Sequence, residues 1–298
     1  MDFNSTEALV AEVPAVAGDS AARRPRLTIR AASGWVALDL WELWQFRDLM
    51  FALSIRDIKL RYKQTALGAI WVVLQPLMAA GILTFVFGTV ARVKTGPVPI
   101  FVFEYTMTAA WGLFNNVLSK AGGSLVGNTN LISKVFFPRL ILPLSALPSS
   151  LLDFSISLVV LGGLLAYHHI VPGWGMLLMP LWLILLLAYA IGIGLVVTSL
   201  MVSYRDVAYM LPLATQILFY ACPIVYPVSS LSNVSAKALF WYNLNPLASV
   251  FEAIAWSVFG TGALDWGRLL VAISVGVVTL MIGVYAFKNM ERKFADVI

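Results

Sequence analysis

Between residues 41 and 76 the chain passes from an amphipathic helical pattern directly into a long apolar one. Polar residues recur at helical spacing between Asp39 and Lys63, whereas Leu43 and Phe46 fall on another face. This pattern predicts an amphipathic interface helix over residues 35–63 that lies along a membrane surface. Its second half surrounds one acid with cations, and such a cluster is attracted to anionic lipid headgroups of the cytoplasmic leaflet. The cluster consists of Arg56, Asp57, Lys59, Arg61 and Lys63.

Six segments after this helix are long and apolar enough to cross the bilayer. About 30 Å of hydrocarbon is covered by about 20 helical residues. We therefore expect an all-α, polytopic membrane domain over residues 64–298, preceded by a flexible cytoplasmic tail over residues 1–34. The expected spans are residues 66–91, 100–120, 140–167, 175–201, 208–228 and 269–287.

Composition and charge agree with a membrane protein and set its orientation. The chain is 60% hydrophobic and only 12% charged, whereas soluble domains carry about 25% charged residues. If both termini are cytoplasmic, sixteen of the 20 Lys and Arg residues lie inside, as the positive-inside rule requires. The basic charge is thus accounted for by membrane orientation, and no nucleic-acid partner is implied.

Residues 128–139 are too polar at their start to cross the membrane and too apolar at their centre for a free loop. The sequence there contains Val135, Phe136 and Phe137. In a folded protein or complex, apolar side chains of this kind are usually covered by other protein. Two interpretations stay open. The phenylalanines either pack under the protein's own helices or form a docking knob for a soluble partner.

Residues 236–260 predict a short re-entrant or interfacial helix pair on the outer side. The second helix begins with Asn245 as N-cap and Pro246 at the first helical position, and it ends at Gly260. It is too short to span and contains Glu252. Because irregular backbone at this depth is tolerated only against protein or water, we expect the pair to roof a cavity.

Small residues four positions apart predict close helix contacts. Such pairs occur at Gly123 and Gly127, and twice in the fourth span, where Ala188 precedes Gly192 and Ala190 precedes Gly194. Small side chains let two helix backbones approach within the membrane.

Three acids lie within predicted membrane segments: Glu104, Asp153 and Glu252. An unpaired charge at this depth costs about 2.5–3.5 kcal/mol, so Asp153 should face protein or water, with Glu104 or a backbone group sharing the charge. A structural role is favoured over a proton relay because no chain of acids accompanies it. The acids are dispersed, and the sequence has no phosphate-binding loop, no zinc motif and one cysteine. The sequence therefore predicts neither a catalytic residue nor a metal site in this chain.

Aromatic residues in or near the spans either fill packing gaps and interfacial belts or face a common channel. In a channel their rings would stack on sugar faces and tolerate a repeating polymer. The candidate lining residues are Trp111, Phe114, Phe219, Tyr220, Tyr226, Trp241 and Tyr242.

Five fragments in order resemble the membrane subunit of polysaccharide and polyol-phosphate ABC exporters, which move lipid-linked O-antigen, capsule or teichoic acid chains out of bacteria. They are RDIKLRYKQTALGAIWVVLQPL from Arg56, NLISKVFFPRLILPLSALP from Asn130, YRDV from Tyr204, PIVYP from Pro223, and NP at Asn245. The resemblance covers nearly everything from Trp41 to the C-terminus.

The resemblance implies a homodimeric permease of the bacterial inner membrane that works with two cytoplasmic ATPase subunits. ATP and magnesium would be bound by those partners, and this chain would hold no cofactor. The substrate would be a lipid-linked polysaccharide, residues 128–139 would form the coupling segment, and residues 236–260 would form the outer gate. Contacts with the ATPase would come from Asn130, Lys134, Phe136, Phe137, Pro138, Arg139, Tyr204, Arg205 and Asp206.

Two alternatives stay open. An ABC permease that exports a drug or small lipid shares the six-span plan but would have a narrow, apolar channel. A membrane-embedded transferase acting on lipid-linked sugars would work without ATP and would need acids or histidines clustered in one cavity.

Overall fold

The computed structural model describes residues 40–63, 70–93, 95–227, 236–262 and 264–291, and within these ranges the chain is helical with no strand. The all-α prediction is therefore confirmed. The predicted tail, residues 1–34, and the first residues of the predicted interface helix lie outside the described ranges.

Twelve α-helices are described in these ranges. In chain order they are α1 Leu40–Gln45, α2 Arg47–Lys63, α3 Ile70–Leu83, α4 Ile100–Gly123, α5 Thr129–Ile132, α6 Ile141–Leu144, α7 Ala146–Tyr167, α8 Met179–Ser203, α9 Val207–Ala221, α10 Ala236–Leu244, α11 Pro246–Phe259 and α12 Trp266–Glu291. A π-helix, Thr84–Val90, continues α3, and short 3₁₀ turns cover Val126–Asn128 and Trp174–Leu178.

Four helical stretches are both long and apolar enough to cross a membrane: Ile70–Val90, Ile141–Tyr167, Trp174–Ser203 and Trp266–Glu291. They coincide with the first, third, fourth and sixth predicted spans. The helix α9 has 15 residues and covers about 22 Å at 1.5 Å per residue. It ends well before residue 228 because Pro223 disfavours helical backbone at the preceding residue.

The helix α4 lies at the centre of the body. It contacts α3, α7, α8, α9 and α11, and sixteen of its 24 residues are buried. A helix surrounded by other helices need not be uniformly apolar, which explains why this sequence is less hydrophobic than the four stretches above. Its polar residues therefore face protein rather than lipid.

Glycines bring α8 into backbone contact with its neighbours. A Cβ added at Gly192 would lie 2.9 Å from the Leu280 backbone in α12, and one at Gly194 would lie 2.9 Å from Ala121 in α4. The glycine of each small-residue pair predicted in this span is thus confirmed as a packing position. By contrast, Gly123 and Gly127 have nothing within 4 Å of an added Cβ in the described part of the chain.

Hydrogen bonds from two residues in the middle of α2 hold this helix to the rest of the body. The Ser54 hydroxyl donates to the Ser145 carbonyl oxygen at 2.7 Å, and Arg56 Nη2 donates to Asn128 Oδ1 at 2.9 Å. Arg56 also pairs with Asp57 at 2.8 Å. One face of α2 therefore packs against α6 and α7, while the cations Lys59 and Lys63 remain exposed.

Replacing Gly192 by Ala tests the backbone contact between α8 and α12. The new methyl group would meet main-chain atoms of residues 279 and 280, which cannot move aside as a side chain would. We expect the free energy of unfolding to fall by about 1–3 kcal/mol, measured by thermal unfolding of the purified protein. The matched control is Gly162→Ala in α7, which meets nothing within 4 Å and should leave stability unchanged or slightly higher.

Candidate transport cavity

A cavity of about 670 Å³ opens between α2, α3, α4, α7 and α9. Its wall combines charged, amide and aromatic side chains, which is unusual among helices of this hydrophobicity. We call it the central cavity. The residues used below are Arg61, Trp71, Gln75, Trp111, Asn115, Asn116, Ser150, Asp153, Gln216 and Phe219.

An ion pair lies at the wall of the central cavity. Arg61 Nη1 in α2 donates to Asp153 Oδ2 in α7, with the Asp153 side chain 10% exposed. The prediction that Asp153 faces protein is confirmed, but its partner is Arg61 of α2 rather than Glu104. Both oxygens of Glu104 are buried and have no hydrogen-bond partner in the described part of the chain, and Glu104 does not line the cavity.

A second cation lies beside this pair. Lys120 Nζ at the end of α4 donates to Ser149 Oγ at 2.9 Å and to Ser150 Oγ at 3.3 Å. Within the described ranges Lys120 forms no ion pair. A half-buried ammonium group is therefore stabilised mainly by neutral hydroxyls.

Amide side chains line the wall of the central cavity. Gln75, Asn115, Asn116 and Gln216 come from three different helices. The Asn115 Oδ1 atom is buried and has no hydrogen-bond donor among the described residues. Since buried acceptors are nearly always paired, this atom can accept a hydrogen bond from a group that enters the cavity.

Aromatic rings meet around Trp111 in α4. Its ring centroid lies 5.2 Å from that of Phe114, 5.5 Å from Phe219 and 6.1 Å from Phe251. Of the seven predicted lining residues, Trp111 and Phe219 border the central cavity, and Phe114 is buried behind Trp111. Tyr220 and Trp241 are exposed on the outside of the body. The Tyr226 hydroxyl donates to the Tyr220 carbonyl oxygen at 3.2 Å.

The third predicted acid, Glu252 in α11, belongs to a separate polar cluster around Arg268 in α12. Arg268 Nη2 donates to Glu252 Oε2 at 2.5 Å, and the Tyr242 hydroxyl in α10 donates to Glu252 Oε1 at 3.0 Å. Arg268 also donates to Asn243 and Asp265. The cluster joins α10, α11 and α12, so the predicted outer helix pair is held to the last long helix by charge-assisted hydrogen bonds.

The protonation state of one exposed member of this cluster follows from its contacts. The Arg268 backbone N–H, which donates to the Asp265 carboxylate, holds the pKa of Asp265 below its usual range.

Both ends of α11 are capped as its sequence predicted, and the helix packs against α4, α8 and α12. Asn245 Oδ1 accepts the Leu247 backbone N–H at 3.1 Å, and Gly260 ends the helix in the left-handed conformation at φ 64°. Buried Trp182 in α8 donates through Nε1 to Ser257 Oγ at 2.8 Å. Nine of its 14 residues are buried, so α11 is a structural part of the body rather than a surface helix.

The two phenylalanines of residues 128–139 differ in exposure, so each of the two interpretations of this segment fits one of them. Phe137 is 5% exposed and packs inside, whereas Phe136 is 69% exposed. The segment is tied to α2 through Asn128 and to the end of α12 through Arg139, whose Nη1 donates to the Glu291 carbonyl oxygen at 3.2 Å. It therefore presents Phe136 outward from an anchored loop.

The remaining predicted coupling residues are also at the surface or beside it. Asn130 and Lys134 are exposed, Pro138 is buried next to Phe137, and the turn formed by Tyr204, Arg205 and Asp206 is exposed. The turn is closed by Val207 N–H donating to the Tyr204 carbonyl oxygen at 3.3 Å.

Comparison with known proteins identifies the family. The sequence profile described as "ABC-2 type transporter" matches residues 48–259, more than two thirds of the chain. The chain belongs to the ABC-2 type transporter family. The match includes all of α2 after its first residue, every residue that lines the central cavity, and both α10 and α11.

Three relatives show which members of the ABC-2 family it is similar to. The O-antigen export system permease protein RfbA of Myxococcus xanthus is 27% identical, over 86% of this chain and 97% of the relative. The RfbA protein of Klebsiella pneumoniae is 28% identical, over 84% and 95%. The polysialic acid transport protein KpsM of Escherichia coli is 24% identical, over 81% and 93%.

Trp71 and Gln216 line the central cavity but were not among the lining residues that the sequence predicted. The pairing of Arg61 with Asp153 joins residues 92 positions apart, and no local pattern signals it.

Replacing Glu252 by Gln tests the outer cluster. Removing the carboxylate leaves Arg268 without its best partner, and we expect the free energy of unfolding to fall by about 2 kcal/mol, read as a lower midpoint in thermal unfolding. Asp265→Asn is the matched control because Asp265 contacts the same arginine from an exposed position, and it should change stability little. Equal effects of the two substitutions would contradict the assigned role of Glu252.

Proposed function

We propose that this ABC-2 family protein is the permease subunit of an ATP-driven exporter of lipid-linked polysaccharide, of the O-antigen or capsule type, in the bacterial inner membrane. The observation that supports it best is the central cavity, where aromatic rings and amide groups face one space inside a helical body. Rings stack on sugar faces, and amides bond to sugar hydroxyls. The similar proteins RfbA, an O-antigen export permease, and KpsM, a polysialic acid transport protein, point to the same class of substrate.

The proposed permease has six spans and both termini in the cytoplasm. Beyond the four long apolar stretches, α4 is 24 residues long, or about 36 Å at 1.5 Å per residue. The shorter α9 would complete the crossing together with residues 222–227 and the re-entrant pair α10 and α11. Those two helices would close the outer side of the pathway.

Energy would come from partner subunits. The sequence has no phosphate-binding loop, so ATP and magnesium would be bound by two cytoplasmic ATPase chains below a homodimer of this protein. The anchored loop over residues 128–139 offers them an exposed aromatic side chain, Phe136, beside Lys134. Coupling then requires that the ATP-bound and free partners differ in affinity for two permease conformations.

An export assay tests the function. Cells that lack this chain should keep the completed glycan inside, and the wild-type chain should restore it to the surface. We expect Phe136→Ala to reduce surface glycan at least fivefold while leaving thermal stability unchanged, because the ring is exposed and contacts the partner only. Surface labelling with a glycan-specific antibody or lectin, together with ATPase co-purification, provides the measurement.

Substitutions of two other phenylalanines serve as controls that distinguish a loss of docking from a loss of folding. Phe85→Ala removes an equally exposed ring from the π-helix and should leave export intact. Phe137→Ala removes the buried neighbour and should lower the free energy of unfolding by about 3 kcal/mol. Normal ATPase retention and export in the Phe136→Ala variant would refute the docking assignment.

Cysteine labelling tests the orientation. The native Cys222 is buried, so it should react slowly with a polar maleimide in the wild-type chain. In intact cells we expect Thr261→Cys, after the outer helix pair, to react, and Ser133→Cys, in the coupling segment, to react only after the membrane is opened; both positions are exposed. Reaction of Ser133→Cys from outside would overturn the proposed topology.

A further inference from the structure

Positive and negative charge are balanced in the wall of the central cavity. Among the described residues that line it, only Arg61 and Asp153 are charged, and they form an ion pair with each other. Lys120 does not line the cavity, and its ammonium group donates to the hydroxyls of Ser149 and Ser150. The described wall therefore offers an entering molecule no cation in excess of its acid.

An anion inside the cavity would have to compete with the acid that is already there. The Asp153 side chain is only 10% exposed, so an anion that drew Arg61 to itself would leave this carboxylate buried without that counter-charge. Separating a buried ion pair in this way is strongly unfavourable. An anion that left the pair intact would exchange its water for a wall of neutral groups, which is also costly. Both routes disfavour acidic ligands.

Hydroxyl groups in the wall present acceptors rather than donors. Thr108 and Ser157, which also line the cavity, donate their hydroxyl protons to backbone carbonyl oxygens of their own helices, at 2.7 Å and 3.2 Å. Their oxygens can still accept a hydrogen bond. The buried Oδ1 atom of Asn115 is a further acceptor, with no donor among the described residues. A sugar hydroxyl can donate to such atoms, whereas an ionised carboxylate has no proton to give.

Amides and aromatic rings in the same wall also suit neutral sugars. The side chains of Gln75, Asn116 and Gln216 line the cavity, and amides both donate and accept, as sugar hydroxyls do. Trp111 and Phe219 have ring centroids 5.5 Å apart, and such rings can cover the apolar faces of sugars. The volume of about 670 Å³ falls within the range of about 300–1,000 Å³ that is typical of small-molecule sites.

We propose that the central cavity selects glycans whose repeating units are uncharged, and that it disfavours those whose sugars carry carboxylate, sulfate or phosphate groups. The selection arises because the wall holds acceptors for sugar hydroxyl protons and no surplus cation. The inference rests on the proposed function and narrows its substrate class, since export of an O-antigen or capsule chain leaves open whether that chain is neutral or acidic.

Binding of two matched oligosaccharides tests the selection. The full-length protein, with the subunits that co-purify with it, is placed in lipid nanodiscs and titrated with a linear tetramer of mannose. The second probe is the same tetramer of mannuronic acid, in which a carboxylate replaces the CH2OH group of every sugar. We expect the neutral tetramer to bind at least about tenfold more tightly, because the acidic one loses its hydration without gaining a counter-ion. Equal or tighter binding of the acidic tetramer, or binding of neither, would overturn the proposal.

A cation added to the wall should change this preference. Gln216 is exposed and lines the cavity, so Gln216→Lys adds one positive charge there without burying it. We expect this variant to lower the Kd of the acidic tetramer about fivefold and to change the Kd of the neutral one less than about twofold. The matched control Thr261→Lys adds the same charge at an exposed position outside the cavity and should change neither Kd.

Thermal unfolding checks that both lysine variants are folded. An unchanged Kd of the acidic tetramer in folded Gln216→Lys would overturn charge balance in the wall as the basis of selection. An equal gain in Thr261→Lys would do the same, because it would show that charge outside the cavity is sufficient.

The exported glycan provides a second measurement. In cells that lack this chain, the retained glycan is released from its lipid by mild acid and passed over an anion-exchange column. We expect the released chains in the unbound fraction, because their repeating units carry no charge. Retention of the chains on the column would overturn the proposal.

The inference and the proposed function can fail separately. Retained glycan that proves acidic overturns charge selection and leaves polysaccharide export in place. If deletion of this chain leaves the surface glycan unchanged, polysaccharide export is overturned. A measured preference for the neutral tetramer, weakened by Gln216→Lys, would then still uphold charge selection by the cavity.

Discussion

Backbone contact between α8 and its two neighbours is the constraint on which the rest of the body depends. Gly192 and Gly194, two residues apart, face α12 and α4, and Thr198 donates to the α4 carbonyl oxygens of Ala121 and Gly122. Inside a membrane apolar helices gain little by leaving lipid for one another, so close packing and such hydrogen bonds must hold them. With one side of α4 fixed in this way, its other side is free to line a cavity.

Two separate ion pairs link carboxylates of the body to arginines of other helices. On one side, Arg61 of α2 reaches Asp153 in α7, beside Lys120. On the other, Arg268 at the start of α12 binds Glu252 in α11. In both places the arginine lies near the end of its helix and the carboxylate within another. Each ion pair therefore connects the end of one element to the middle of the body, where an unpaired carboxylate would be costly.

Local patterns in the sequence predicted the helices well and their contacts poorly. Apolar length predicted the long helices, and Asn245, Pro246 and Gly260 predicted both ends of α11, because caps depend on neighbouring residues only. Phe136 and Phe137 are adjacent and equally apolar, yet one is exposed and one buried, since the direction of a side chain in a loop depends on tertiary anchoring. The partner of Asp153 was missed for the same reason: the two residues meet only through the fold.

The π-helix after α3 bears on how this chain is compared with its relatives. Its hydrogen bonds span five residues, as in the bond from the Ala91 N–H to the Val86 carbonyl oxygen at 2.9 Å, so this stretch holds more residues per turn than an α-helix. A relative with one residue fewer between positions 84 and 90 could wind the stretch as ordinary α-helix and keep both flanks in place. A one-residue gap within α8 would instead turn every later side chain by about 100° and move Gly192 or Gly194 off its neighbour. A gap in a sequence alignment therefore has a different structural consequence in each of these two helices, although both sequences are strongly apolar.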